Sequence, residues 1–316
     1  MSYFSRNSKS IVLAKIVATA GLLSTVVQAL PAQSATLDWG SVRSGNSTLF
    51  NSTTGRFLNA TNNIAISSGG TVDLTLGTIA DITNISRVQG IPASSSTVNG
   101  FDSTFSPAPA ISTFLNGSST ASTLYLQQDG FAVANAVYAG IKFNNPGGVS
   151  GLTFTLFDVD NSSGSLTNNA WQDRVIVRGL FNGVAVLPTT VSAVSTFVNA
   201  STGNISINGA GTGYTGAVIG GATVLDGTKS VDNDTSNAGN VTISFLGPVD
   251  QLYIDFTQAP GSLGTTTNPN PTSHGIGIGN MTYQAVPEPL TILGAATAIA
   301  FGTAFKRRSA QLKNKD

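Results

Sequence analysis

LTFTLFDVD, residues 152–160, alternates apolar and threonine side chains and then ends on two carboxylates. Period-two alternation puts Leu152, Phe154 and Leu156 on one face of an extended strand, and continuing it adds Asp158 and Asp160 to that face. Seven other segments share this character: TVDLTL (71–76), STLYLQ (122–127), AVYAGIKF (136–143), DRVIVRG (173–179), VTISFL (241–246), LYIDF (252–256) and GIGIGNMTY (275–283). They are rich in β-branched and aromatic residues and are separated by Gly, Asn, Ser and Pro clusters. Few segments between Thr36 and Ala285 carry an amphipathic helical pattern. Many short strands without βα alternation predict an all-β domain over 36–285, an antiparallel β-sandwich of the jelly-roll or lectin-like kind. A β-solenoid is the alternative, and the lack of a fixed-period repeat counts against it. SPAPA (106–110) and TNPNPT (267–272) read as loops inside this one domain.

Composition narrows the chemistry. Without cysteine there is no disulfide framework, thiol nucleophile or cysteine metal site. A domain of about 250 residues can bury an adequate core without such staples. Charged residues make up 9% of the chain, against ~25% in ordinary globular proteins; Ser, Thr, Asn and Gly take over the polar role. The formal charge of zero conceals an asymmetry, because residues 36–285 hold seven Lys or Arg against thirteen Asp, a net charge of −6. Such a domain has no basic footprint for nucleic acid. It suits cations, or neutral partners such as sugars.

Both ends read as targeting segments. Arg6, Lys9 and Lys15 form a positive region, Ile16 to Leu30 an apolar stretch, and PAQSA a small-residue cleavage region. This is the pattern of a signal peptide over 1–35, cut between Ala29 and Ala35, with a permanent N-terminal anchor as the alternative. At the other end Pro287-Glu288-Pro289 is followed by an apolar run over 290–305 and a basic tail over 306–316 that opens Lys306-Arg307-Arg308. Sixteen helical residues rise about 24 Å, somewhat short of the ~30 Å hydrocarbon core. The basic cluster would stay cytoplasmic, with everything before this transmembrane helix outside.

This tripartite ending, residues 286–316, resembles the PEP-CTERM sorting signal of exopolysaccharide-producing Gram-negative bacteria, cyanobacteria included. The resemblance implies a partner, the membrane protease-transpeptidase exosortase, which would recognise Pro287, Glu288 and Pro289 and process the chain near them, with Arg307 and Arg308 completing the signal. It implies an address: an inner-membrane-anchored precursor, then the cell surface or the extracellular matrix. It covers about a tenth of the chain and implies no activity. An ordinary membrane anchor without processing is the plainer reading.

The carboxylates at the end of LTFTLFDVD make the best local site. After NSSGSLTNNAWQ (161–172) the next strand puts Asp173, Val175 and Val177 on one face. If the two strands pair as a hairpin, Asp173 returns to Asp158 and Asp160. With Asn161 and loop carbonyls, these would form an oxygen-only site of the kind that holds structural Ca²⁺. DVDNSSG (158–164) partly resembles a D-x-D-x-[DNS]-G calcium loop, although Gly164 comes one place late and no Glu follows. A second loop, VDNDTSNAG (231–239), offers Asp232, Asp234 and Ser236 at similar spacing. The competing reading is that Asp and Asn make Asx-turns at strand ends. The stretch from Gly151 to Pro188, with FDVD, WQDRVIVRG and FNG, loosely resembles a sandwich module of bacterial surface proteins.

Other motifs carry less. Gly211-Thr212-Gly213-Tyr214-Thr215-Gly216 matches G-x-G-x-x-G, but AVIGGATVLDG follows, so no helix N-terminus is available for a pyrophosphate. His274 is the only histidine and Glu288 the only glutamate, so no catalytic residue is assigned; a glycoside hydrolase would have to use Asp as both acid and base. Trp171 sits among Asn168, Asn169, Gln172 and Asp173. It could stack on a pyranose face, or fold back to seal the sandwich. The expectation is an exported, non-enzymatic cell-surface or matrix protein. Its alternatives are a glycan-binding module that attaches to extracellular polysaccharide, and an Asp-dependent secreted hydrolase.

Overall fold

The computed structural model describes residues 34–46, 61–65, 71–79, 87–89, 110–112, 121–128, 136–161, 172–193, 198–207, 217–228, 237–259, 274–286 and 297–307. The chain divides into two units, one of Gln33–Val286 and one of Met1–Ala32 with Pro287–Asp316. In the first, the described residues form seventeen strands and one short helix, all strand pairs antiparallel. The elements are β1 (Ser34–Leu37), α1 (Trp39–Gly45), β2 (Thr61–Ala65), β3 (Thr71–Ile79), β4 (Arg87–Gln89), β5 (Ala110–Ser112), β6 (Thr123–Gln128), β7 (Ala136–Phe143) and β8 (Val149–Phe157). They continue with β9 (Asp173–Phe181), β10 (Val184–Val186), β11 (Thr190–Ala193), β12 (Val198–Ile207), β13 (Ala217–Gly227), β14 (Val241–Phe245), β15 (Gln251–Gln258), β16 (His274–Ile278) and β17 (Met281–Ala285).

Two antiparallel sheets make a sandwich-like all-β fold. The eight-stranded sheet runs β1-β17-β8-β16-β6-β5, with β14 on the free side of β8 and β11 outside β14. The nine-stranded sheet runs β12-β13-β9-β15-β7-β3-β2, with β10 beside β9 and β4 beside β3. Between β6 and β16 the chain passes repeatedly from one sheet to the other. Alternation explains the core: Leu152, Phe154 and Leu156 from the first sheet meet Val137, Ala139, Ile141, Leu252, Ile254 and Phe256 from the second in one cluster. Tyr283 of β17 and Phe143 of β7 meet across it edge to face, ring centroids 5.1 Å apart. The β9–β10 hairpin turns on Asn182 and Gly183, both at positive φ, as a two-residue hairpin turn requires.

Sequence alternation fails at three places. GIGIGNMTY is two strands, interrupted at Gly279-Asn280. Strand β8 stops at Phe157 because Asp158 takes a left-handed φ of 64°, which ends the alternation and turns Val159 into the core. The expected β8–β9 hairpin does not form, since β8 belongs to one sheet and β9 to the other. In the second unit a helix spans 297–307, exposed along its length. Among the described residues no helix is long and apolar enough to cross a membrane.

Candidate functional site

The Asp corner assembles by a route other than a hairpin. As the chain crosses between sheets, Asn161 and Gln172 form an isolated antiparallel bridge. The Asp173 N–H donates to the Asp160 carbonyl at 2.9 Å, and the Asp160 N–H to Asp173 Oδ2 at 3.2 Å. Both aspartates are buried. The crossing is held tightly from the side: a Cβ at position 227 would lie 2.0 Å from the Asp160 carbonyl oxygen, and Gln172 Nε2 donates to the Gly227 carbonyl at 2.6 Å. The structure thus brings Asp160 and Asp173 together beside Asn161. Among the described residues no group of three His, Cys, Asp or Glu is placed to hold a metal. The Asp173 carboxylate fastens the crossover by accepting a backbone N–H from thirteen residues earlier in the chain.

Several other site residues lie outside the described residues: Asp232, Asp234, Ser236, Trp171, Pro287, Glu288, Pro289 and Arg308, together with the glycine motif at 211–216. The segment after that motif is strand β13, not a helix. Arg307 is exposed at the end of the helix over 297–307, and His274 opens β16 opposite Gln128.

A constellation that sequence reasoning missed ties the two ends of the domain together. Strand β1 pairs with β17, Ser34 opposite Gln284 and Leu37 opposite Met281. Asp38 caps α1 by accepting the Ser41 N–H at 2.7 Å, and Asn280 Nδ2 donates to its other oxygen at 2.6 Å. The Trp39 N–H donates to Asn280 Oδ1 at 3.0 Å, and the fully buried Trp39 indole donates to the Gly279 carbonyl at 2.9 Å. At the break in GIGIGNMTY the Gly279 N–H still bonds the Thr155 carbonyl at 2.8 Å, while the Gly279 carbonyl and the Asn280 side chain turn to Trp39 and Asp38. The Ser41 backbone N–H holds the Asp38 carboxyl below its usual range, against an opposing push from burial, with the Ser41 hydroxyl and Asn280 assisting. The only advance signal is Asp38 standing three residues before Ser41 at a helix start. At the far end Asn145 Nδ2 donates to the Val286 carbonyl at 2.8 Å, and the Val286 N–H donates to the Gly148 carbonyl at 3.1 Å.

Grooves lie on the outer faces of both sheets. On the nine-stranded sheet one of about 250 Å³ is lined by Asp73, Thr75, Lys142, Gln251 and Tyr253. Here Tyr253 lies over Gly140, its ring 3.0 Å from where a Cβ would be, and its hydroxyl donates to Gln251 Oε1 at 3.0 Å. Asp73 and Lys142 are cross-strand partners, so their charges offset each other. On the eight-stranded sheet a groove of about 270 Å³ runs between Ser122, Thr153, Thr155, Phe157, Asn280 and Thr282. It carries no charge.

No protein-family model, curated protein or solved structure matches this chain.

Proposed function

We propose that this chain is an exported, non-enzymatic cell-surface or extracellular-matrix protein, delivered through its PEP-CTERM-like ending. In this reading the N-terminal apolar segment acts as a signal peptide cut between Ala29 and the start of β1 at Ser34, and the apolar run over 290–305 anchors the precursor in the inner membrane. Exosortase then acts at Pro287-Glu288-Pro289. The repeated passage of the chain between sheets supports a jelly-roll form of the sandwich. The Asp160–Asp173 contact serves as a fastening of the crossover.

The observation that carries the reading is the pairing of β1 with β17. It sets Ser34 beside Gln284, so the strand that follows the leader and the strand that precedes the sorting motif share one sheet edge. Val286, the last described residue before the sorting motif, is clamped to the domain by Asn145 and Gly148. Leader and sorting motif thus leave the domain side by side, which is compatible with delivery of a domain made at the membrane. Replacing Glu288 by Ala, or Arg307 and Arg308 together by Ser, should trap or misorient the precursor, as cell fractionation with external protease digestion would show. Undiminished surface delivery of both variants would contradict the reading.

A further inference from the structure

On the eight-stranded sheet, strand register aligns hydroxyls that lie far apart in the chain. Thr36, Thr282, Thr153, Ser244 and Thr190 are successive partners across β1, β17, β8, β14 and β11. One step along the strands, Thr155, Thr242 and Ser192 form a second row. At ~4.8 Å between strands the longer row spans roughly 19 Å. All eight side chains are half-buried or exposed. Thr153 Oγ1 donates to Ser244 Oγ at 3.0 Å, and the Thr155 and Thr242 hydroxyls are 3.0 Å apart. Each such pair uses one O–H, leaving the other O–H and several lone pairs to face outward in fixed positions.

The next outward residue of β8 is Phe157. Its ring is half-buried and lies over Gly279, 2.9 Å from where a Cβ would be, so any other residue at 279 would push it off the sheet. A merely solvated β face needs polarity, which threonine supplies along with β-propensity. Tyr253 covers Gly140 in the same way on the other sheet, but there the ring lies beside Asp73 and Lys142, whereas Phe157 borders only uncharged side chains.

We propose that this face binds a neutral polysaccharide, with the Phe157 ring as the platform for one pyranose and the hydroxyl rows as a hydrogen-bonding track across the strands. A sugar ring offers an apolar C–H face to the phenyl and equatorial hydroxyls to threonine, which is the chemistry the groove presents. The ligand is neutral because neither row contains a charge, and a domain of net charge −6 over 36–285 repels an acidic chain. A protein partner fits less well, since its interface would want an apolar centre larger than one ring. The site deepens the glycan-binding alternative and is independent of how the protein is sorted.

The test uses the full-length chain in mild detergent, run through native gels containing hydroxyethylcellulose or alginate. Hydroxyethylcellulose should retard the protein and alginate should not. Phe157→Ala should weaken the retardation roughly five- to tenfold, and Phe157→Tyr should keep it. Should Phe157→Ala fail to fold, Thr153→Val with Thr282→Val keeps the side-chain shapes and should abolish most of the retardation with an unchanged melting temperature. Folded variants that bind like the parent would overturn the proposal, as would stronger retardation by alginate or none by either polymer. Loss of retardation with Trp171→Ala alone would also overturn it, while leaving glycan binding intact at a different place.

Discussion

The two sheets expose outer faces of opposite character, although both are built by the same alternation. On the nine-stranded sheet the outward positions of β9 are Arg174, Ile176 and Arg178, and those of β15 include Asp255 and Thr257; all five are buried. Ile176, Tyr138, Ala222 and Val224 form a second small apolar cluster there. Within this face Arg178 pairs with Asp255, and Arg174 binds Asp226 through two bonds of 2.7 Å. On the β11–β14–β8–β17–β1 part of the other sheet the outward residues are neutral hydroxyls that reach solvent. The part of the first face around β9 therefore behaves as a further layer of core that encloses charge, and this part of the second as surface. A buried charge on the first is a structural commitment, whereas the hydroxyls on the second bond one another and still reach solvent.

Substitutions can break this contrast. Asp255→Ala leaves the Arg178 guanidinium buried beside a missing partner and should cost about 3–5 kcal/mol in urea unfolding. Thr153→Val on the other face should stay within about 0.5 kcal/mol. Equal costs at the two positions would erase the distinction.

The clasp between the domain ends should respond to pH. Its folded-state carboxyl, Asp38, lies below the ordinary value of 3.8. Its contribution is therefore present above that value and lost as pH falls through the lowered folded one. Asp38→Ala should cost about 1 kcal/mol at neutral pH, the worth of a helix cap, and the difference from the parent should vanish in acid. A gap that persists under strong acid would mean that the cap acts without its charge.

The smallest effect lies between the sheets. Among the described residues the buried Tyr283 hydroxyl has no hydrogen-bond partner, and burial pushes its phenol from 10.0 up to about 12. Tyr283→Phe should be neutral or stabilising by up to about 1 kcal/mol, since it removes an unpaired polar group and keeps the contact with Phe143. It should also remove a loss of stability between about pH 10 and 12, where the unfolded phenol ionises first. A destabilised variant would show that the hydroxyl is satisfied.

What could be read from the chain follows the same division. Eight strand segments were visible because β-branched and aromatic residues marked them, and Leu152, Phe154 and Leu156 are the core face expected. Strands β12 and β13 were missed because NASTGNISI reads as polar loop and AVIGGATVLDG as glycine-rich. Helix α1 has seven residues, too few to display a period. Local sequence could not distinguish a β8–β9 hairpin from a crossover, because that depends on which distant strands claim each edge. Asp160 and Asp173 did come together, through the bridge at Asn161 and Gln172. The five-residue hydroxyl row was illegible for the same reason: its members span positions 36 to 282, and only strand register aligns them. Arg174 and Arg178 were counted as charges, but their partners Asp226 and Asp255 lie 52 and 77 residues away.

The proposed route cuts the chain at both ends of the β1–β17 pairing, and intact-mass analysis of protein recovered from outside the cell tests that directly. The predicted species begins at or before Ser34, because a cut after Ala35 would remove two of the four β1–β17 register pairs. It ends between Pro287 and Pro289, without the basic tail. A chain that still ends at Asp316 would contradict processing, and one that begins beyond Ala35 would contradict the paired edge.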